Sequence, residues 1–261
     1  MSASASFQQR GPVAFLRPLG RCLVPVVLVI VWQALGKSAI LPEYLSYPSQ
    51  IGVAFKELWD QGELLPYTRD TLLRLFGGFF VGSILGVAMG LISGMSRQVN
   101  GFLDPLVAFV YPVPKIAFMP IAIMIFGIGS STQAVIVALS VSFPVFMATQ
   151  SAVKHIDKHL VWVAENFEAP RSAILFRVIL PSVMPGVFAG LRIALALSYI
   201  SLFAAELVGA HTGLGLLISE GQDADRFDIM LTGVVSYGFL GFISDRILLK
   251  IRSRVLKGDQ S

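Results

Sequence analysis

The sequence has 261 residues, of which 55% are hydrophobic and only 14% are charged, and its mean hydropathy is +0.74. Soluble domains carry about 25% charged residues, so this composition excludes a water-soluble globule and predicts an integral membrane protein. The net charge of +4 is typical of membrane proteins whose cytoplasmic loops are basic. The single cysteine, Cys22, excludes an intrachain disulfide.

The apolar runs are continuous, which favours a bundle of helices over a β-barrel, whose strands alternate in polarity. A spanning helix needs about 20 apolar residues. Six stretches are predicted to span, the third of them broken: Cys22–Leu35, Leu72–Gly94, Phe102–Phe126, Gln133–Thr149, Gly186–Val208 and Ile229–Leu249. The first is interpreted as an uncleaved anchor, because no clear small-residue cleavage site follows it.

Lysine and arginine residues predict the orientation, because they accumulate in cytoplasmic segments. A cytoplasmic N-terminus places thirteen of them inside: Arg10, Arg17, Arg21, Arg97, Lys154, Lys158, Arg171, Arg177, Arg246, Lys250, Arg252, Arg254 and Lys257. Only Lys37, Lys56, Arg69 and Arg226 then lie outside, and Arg74, Lys115 and Arg192 fall within or beside spans. The expected organisation is a cytoplasmic tail (1–21), a transmembrane domain (22–250) and a second cytoplasmic tail (251–261).

Glycine recurs at every fourth position of the second span, at Gly78, Gly82, Gly86, Gly90 and Gly94. Such stripes allow two helix backbones to approach closely in a membrane. We interpret this stripe as a helix-packing surface. In the external segment that precedes this span, the sequence IGVAFKELWDQ has apolar residues at helical spacing and predicts an amphipathic helix on the outer surface.

The third span contains Pro112, Pro114 and Pro120, which remove helical donors and disfavour helix in the residues before them. Transport proteins place broken helices of this kind at their substrate sites. Lys115 lies in the break and either lines a translocation pathway or extends to the membrane interface. These four residues are therefore candidates for the pathway.

Two further ionisable residues lie in the fifth span. Arg192 and Glu206 are separated by about 21 Å along a helix. Arg192, near the cytoplasmic end, is a pathway candidate. Alternatively, Arg192 and Glu206 are structural partners of other helices.

His155 and His159 have a spacing that permits a shared metal, but no further ligand cluster accompanies them, so no metal is expected. Catalytic and nucleotide-binding motifs are absent from the sequence, so any nucleotide chemistry must belong to another chain.

The segment between the fourth and fifth spans, about residues 155–185, is predicted to lie on the cytoplasmic side. A helical pattern ends near Ala169, which precedes Pro170, and Pro170 suits the first turn of a new helix. This second helix is expected to present Ile174, Phe176 and Val178 among Arg171 and Arg177, until Pro181 ends it. Such a surface offers apolar and cationic residues to a partner.

This segment resembles the EAA loop of ABC-importer permeases, whose pattern is E-A-A, three residues, G, nine residues, and I-x-L-P. Aligning Leu180 and Pro181 places Val178 at the isoleucine and Ala164 at the final alanine. Trp162 and Val163 depart from the first two positions, and Glu168 stands at the glycine. The sequences PVPKIAFMPIAIMIFGIG, SFPVFMAT, VILPSVMPGVFAGLRIAL and GFLGFISDRIL are also similar to the nitrate, taurine and alkanesulfonate importer permeases.

The resemblance implies an all-α permease fold with an EAA-type coupling loop and no cofactor of its own. It implies a homodimer in the bacterial inner membrane, two ATPase subunits that carry ATP and Mg²⁺, and a periplasmic binding protein. The solute would be a small anion such as a sulfonate or nitrate. The alternatives are a secondary transporter driven by an ion gradient and a membrane-embedded enzyme. If the chain is an ABC-importer permease, Ala169–Leu180 is expected to be the helix that docks on the ATPase, and Pro170 is expected to make the break in place of the glycine.

Overall fold

The structure, a computed structural model, describes residues 16–38, 42 and 44–257, and for residues 16–22 and 257 it describes the backbone alone. The regular structure in these residues is entirely helical, which confirms the predicted all-α class. The helices in chain order are α1 (Leu16–Lys37), α2 (Pro48–Asp60), α3 (Leu64–Met95), α4 (Arg97–Val110), α5 (Met119–Phe126), α6 (Ser130–Lys154), α7 (Lys158–Asn166), α8 (Arg171–Ile174), α9 (Leu180–Gly209), α10 (Leu214–Asp223) and α11 (Phe227–Lys257). A 3₁₀ turn (Lys115–Phe118) precedes α5, and a π turn (Leu175–Ile179) joins α8 to α9.

Five of the six predicted spans have a counterpart in the part of the chain that the structure describes. The stretches long and apolar enough to cross a membrane alone are Leu64–Met95, Ser130–Lys154, Arg171–Gly209 and Phe227–Leu256. α4 and Lys115–Phe126 meet the same criterion only together, with a bend of 93° between them. The apolar stretch of α1 is shorter, Leu23–Lys37, so the sixth span stays a prediction.

The predicted tails fit the helices only in part. Most of the N-terminal tail, including Arg10, lies outside the described residues. At the other end, the boundary predicted at residue 250 falls inside α11, which continues to Lys257.

Contacts between helix ends establish how the chain runs through the bundle. The Nε of Arg74, in the first third of α3, donates to the Oγ of Ser130 at the start of α6, at 2.9 Å. Glu206, near the end of α9, also contacts Arg74. α3 and α6 therefore begin, and α9 ends, at the same end of the bundle. The bent α4–α5 pair must cross from the far end of α3 back to this end, and the 155–185 loop lies at the opposite end.

The glycine stripe of α3 lies against α6 along its whole length. A Cβ at Gly86 would approach the carbonyl oxygen of Ser142 to 2.7 Å, and one at Gly90 would approach the Cβ of Thr149 to 2.6 Å. Gly78, Gly82 and Gly94 meet α6 in the same way. Because real Cβ atoms do not approach other atoms so closely, the two backbones can pack at this distance only with glycine at these positions.

The predicted amphipathic helix corresponds to α2. Ile51, Ala54 and Leu58 are buried, and α2 packs against α11. The guanidinium of Arg226, in the loop before α11, donates to Glu57 of α2 and to Asp228. The hydrogen bonds that Arg226 donates to Asp228 and, second, to Glu57 raise the pKa of Arg226 above its ordinary value.

Candidate functional site

The 155–185 loop begins with α7 and turns sharply after it. The N–H of Ala169 donates to the carbonyl of Ala164 at 3.1 Å, and the N–H of Glu168 donates to the carbonyl of Glu165 at 2.9 Å. These two bonds form a Schellman motif, whose turning residue takes the left-handed conformation. That residue is Glu168, with φ of 54°.

The turn between α7 and α8 is therefore at Glu168, whereas the sequence predicted it at Pro170. Glu168 adopts the backbone conformation that glycine favours, at the position where the EAA pattern has glycine. Pro170 is not at the break but after it, as the N-cap of α8 with an extended backbone (φ −64°, ψ 148°). The prediction that Pro170 makes the turn in place of glycine is wrong, because the α7 hydrogen bonds already close it at Glu168.

The expectation that Pro181 ends the second helix is also wrong. α8, the π turn and α9 form one helix of 39 residues, Arg171–Gly209. The N–H of Leu180 donates to the carbonyl of Leu175, a π-type bond that widens the last turn before Pro181. Pro181 follows this turn inside the continuous helix, where the widened π-type hydrogen bonding accommodates the proline.

The side chains of this loop divide into a packed set and an exposed set. Ile174 is only 8% exposed and packs in a core with Val153, Ile179 and Val183. Partly buried residues around this core include Ala164, Ala169, Val178 and Leu180. The exposed apolar residues are Leu160, Trp162, Val163, Phe167 and Phe176, and Glu168, Pro170, Arg171 and Arg177 are exposed with them. Most of the exposed apolar surface therefore lies on α7 and its C-terminal end, before Ala169–Leu180.

Lys115 is fixed by backbone groups at the break of the third span. Its Nζ donates to the carbonyl oxygens of Val110 at 2.8 Å, Val113 at 2.9 Å and Tyr111 at 3.1 Å. It also lies 4.6 Å from the centre of the Phe143 ring. The ammonium group has three donors, and all three are used. Lys115 thus caps the carbonyl end of α4, where a cation is electrostatically favoured.

The break lines a cavity of about 380 Å³. Pro112, Pro114 and Lys115 line it together with residues of α6 and α9, which are Ser140, Leu197, Ile200, Ser201 and Ala204. Pro120 and Arg192, the other two pathway candidates, do not line this cavity; Pro120 is at the start of α5. The structure thus brings three of the five candidates together.

Arg192 lies at the edge of a larger cavity between α9 and α11, of about 570 Å³, which we call the α9–α11 groove. Its guanidinium forms a two-point ion pair with Asp245, with Nε 2.7 Å from Oδ1 and Nη2 3.2 Å from Oδ2. The walls are mostly apolar and aromatic, and include Tyr199, Phe203 and Tyr237. Both cavities contact Ile200.

A buried polar cluster at the end of the bundle opposite the 155–185 loop was not predicted. The Nη1 of Arg74 lies 2.9 Å from Oε1 of Glu206, and their side chains are 6% and 0% exposed. The carboxylate also accepts from the hydroxyls of Thr71 and Tyr237, at 2.9 and 2.6 Å. The one signal in the sequence was the presence of a charged residue inside an apolar span. It did not identify the partner, because 132 residues separate Arg74 from Glu206 in sequence.

The two histidines do not lie on one helix, because α6 ends at Lys154 and α7 begins at Lys158. Within the described residues there is no group of three or more metal-ligating side chains.

The sequence profile of the family described as "Binding-protein-dependent transport system inner membrane component" matches residues 82–257. This chain belongs to that family. The matched part of the permease runs from the middle of α3 to the end of α11, and so contains the 155–185 loop and both cavities.

Curated relatives carry names of transport permeases. The permease is 32% identical to the putative aliphatic sulfonates transport permease protein SsuC of Escherichia coli (strain K12), over 85% of each chain. It is 27% identical to the taurine transport system permease protein TauC of the same organism, over 97% of this chain and 94% of that one. It is 22% identical to the nitrate import permease protein NrtB of Synechocystis, over 97% and 96%.

Among solved structures, the permease is similar to a chain of the MetNI methionine ABC transporter in an inward-facing conformation. The TM-score is 0.65, with 20% identity over 75% of this chain and 97% of that one. A second crystal form of the same transporter gives a TM-score of 0.62 with 19% identity. This likeness shows that the permease has the same fold.

Proposed function

We propose that this permease is the membrane subunit of an ATP-driven importer, whose ATP hydrolysis takes place on a separate chain. The observation that carries the proposal is the exposed apolar surface of α7 and the residue after it, with Val163 54% and Phe167 83% exposed. Surface patches of this kind mark protein–protein contacts. The docking helix is α7 rather than Ala169–Leu180, whose central residue Ile174 is buried.

The continuous helix that follows α7 provides a mechanical connection. Val161 and Ala164 of α7 pack on the same core as Ile174 and Ile179. A displacement of α7 by a partner therefore acts on the helix Arg171–Gly209, which extends from the loop to the far end of the bundle. This arrangement supports alternation between inward-open and outward-open states driven by closure of an ATPase dimer.

The proposed assembly is the one that is typical of the family. Two copies of the permease form the pathway, two ATPase subunits bind ATP and Mg²⁺ and contact the two α7 helices, and a periplasmic binding protein delivers the solute. The complex lies in the bacterial inner membrane, with both termini in the cytoplasm. The positive-inside distribution supports this orientation.

The proposed solute is a small oxyanion, with sulfonates first. The relatives named above are described as permeases for aliphatic sulfonates, taurine and nitrate. Lys115 is not proposed to bind the anion, since its three donors are used by carbonyl groups. A secondary transporter would use an acidic residue within the spans to couple an ion, whereas Glu206 is paired with Arg74.

Co-purification and uptake test the proposal. The tagged permease, expressed in its own host cell, is expected to co-purify with an ATPase chain. In proteoliposomes with ATP, uptake of labelled taurine should be competed by ethanesulfonate more strongly than by nitrate. Uptake that persists without ATP but collapses with the ion gradient would contradict the proposal.

A further inference from the structure

α10 lies across the end of the bundle opposite the 155–185 loop. Its residues Leu214, Leu217 and Ile218 are buried in one core with Leu58 and Tyr237. Both ends of the segment have left-handed backbone conformations, at Gly213 (φ 116°) and Asp225 (φ 55°). The segment is therefore a short helix between two sharp turns.

The start of α10 is attached to the bundle through Glu206. The N–H of Gly215 donates to Oε2 of Glu206, and the N–H of Leu214 donates to Oγ1 of Thr71, both at 2.9 Å. The guanidinium of Arg74 holds the preceding turn by donating to the carbonyl and the hydroxyl of Thr212, both at 2.6 Å. Of these groups, only Glu206 belongs to α9, so the carboxylate joins α10 to the helix that begins in the cytoplasmic loop.

Glycine is required for this attachment. A Cβ at Gly213 would lie 2.7 Å from Nη1 of Arg74, and one at Gly215 would lie 3.1 Å from Oε2 of Glu206. Larger residues would keep the segment away from the carboxylate. The sequence GAHTGLG therefore brings the chain directly over Glu206.

α10 also forms the outer end of the α9–α11 groove. Ile218 lines the groove together with Phe203, Val234 and Tyr237. Tyr237 belongs to both features, because its ring lies in the groove wall and its hydroxyl donates to Oε2 of Glu206 at 2.6 Å. The groove and the Glu206 cluster are thus in direct contact.

We propose that Glu206 is a positioning residue that holds α10 closed over the outer end of the α9–α11 groove. Movement of α9 by the cytoplasmic loop withdraws the carboxylate from Gly215, and α10 then turns about Gly213 and Asp225 and opens the groove. This inference rests on the proposed function, because the movement of α9 comes from the ATPase.

Thiol labelling measures the closure directly. Gly241 lines the groove and is only partly exposed, and a Cβ there meets only the Tyr199 ring at 4.0 Å, so Gly241→Cys in a Cys22→Ser background is a suitable reporter. In intact cells, a membrane-impermeant thiol reagent should label this cysteine slowly. Thr71→Val removes the hydroxyl that bonds to both Glu206 and α10, and should accelerate labelling about tenfold, as expected for hydrogen bonds to a charged group.

Two matched variants serve as controls. Thr232→Val makes the same change at a buried threonine whose hydroxyl bonds to Asp228 and Ile51 instead, and should leave labelling unchanged. Thr71→Ser keeps the hydroxyl and should restore slow labelling. Equal labelling of the Thr71→Val and Thr232→Val proteins would overturn the inference, as would failure of Thr71→Ser to restore slow labelling.

A disulfide tests whether α10 must move. A Cβ at Gly233 would contact the side chain of Ile218, so Gly233→Cys with Ile218→Cys can join α10 to α11. In the purified complex, the oxidised pair should lose at least nine-tenths of ATP hydrolysis, and dithiothreitol should restore it. Normal hydrolysis with a complete disulfide would overturn the inference alone, whereas failure of the wild-type permease to bind an ATPase would overturn the proposed function.

Discussion

The backbone N–H of Ala169 donates to the carbonyl of Ala164 across a single left-handed residue, Glu168. A side chain in this conformation costs about 1 kcal/mol relative to glycine. We therefore expect Glu168→Gly to stabilise the permease by roughly 1 kcal/mol or less. Glu165→Gly makes the same change inside α7 and should cost about 1 kcal/mol. Thermal unfolding in detergent measures both, and equal shifts for the two variants would contradict this account of the turn.

The contact between α3 and α6 predicts different effects of alanine at two glycines of α3, Gly86 and Gly77. Gly86→Ala would place a Cβ 2.7 Å from a backbone oxygen of α6 and force the helices apart, at a cost of about 1–3 kcal/mol. At Gly77 a Cβ meets no atom within 4 Å, so Gly77→Ala should be neutral or stabilising by up to about 1 kcal/mol. The measurement is again thermal unfolding, and a stable Gly86→Ala protein would show that the stripe tolerates side chains.

Lys115 is predicted to maintain the break of the third span rather than to bind solute. Lys115→Met keeps the length of the side chain but leaves the carbonyl groups of Val110, Tyr111 and Val113 without their cation. Hydrogen exchange of residues 110–118 should then be faster by about tenfold, since bonds to a charged group are lost. Lys115→Arg retains the cation and should stay close to wild type. Unchanged exchange in Lys115→Met, with loss of uptake alone, would assign the lysine to the pathway.

The orientation predicts which loops a membrane-impermeant thiol reagent reaches in intact cells. In the Cys22→Ser background, Ser219→Cys lies on α10 and should be labelled from outside. Ser253→Cys lies near the cytoplasmic end of α11 and should be labelled only after the cells are permeabilised. Labelling of position 253 in intact cells would contradict the proposed orientation.

Much of the bundle was predictable because its signals are local. Unbroken apolar runs indicate spans, glycine at every fourth position indicates close helix packing, and prolines at 112, 114 and 120 indicate the bend between α4 and α5. Each of these patterns predicts the structure of the segment in which it occurs, without information about the rest of the chain.

The wrong and missing predictions concern interactions that cannot be recognised from neighbouring residues in the sequence. The pairing of Arg74 with Glu206 depends on the antiparallel order of α3 and α9. A π turn before Pro181 keeps the helix continuous, and the helix-end bonds of α7 impose a left-handed conformation on Glu168 despite its side chain. The role of Lys115 stays open between the pathway and the interface, because composition does not distinguish an aqueous pathway from the carbonyl groups that the break frees and that Lys115 contacts.

The central claim is that α7 docks on the ATPase, and a matched pair of aspartate substitutions tests it most directly. Val163 on α7 and Val255 near the end of α11 are 54% and 46% exposed at the same end of the bundle. A charge enclosed in a packed contact costs several kcal/mol, whereas an exposed one does not. Co-purification of the ATPase with each variant is the measurement. We predict that Val163→Asp loses the ATPase while Val255→Asp retains it, with the same unfolding temperature for both; normal ATPase recovery with Val163→Asp would contradict the account.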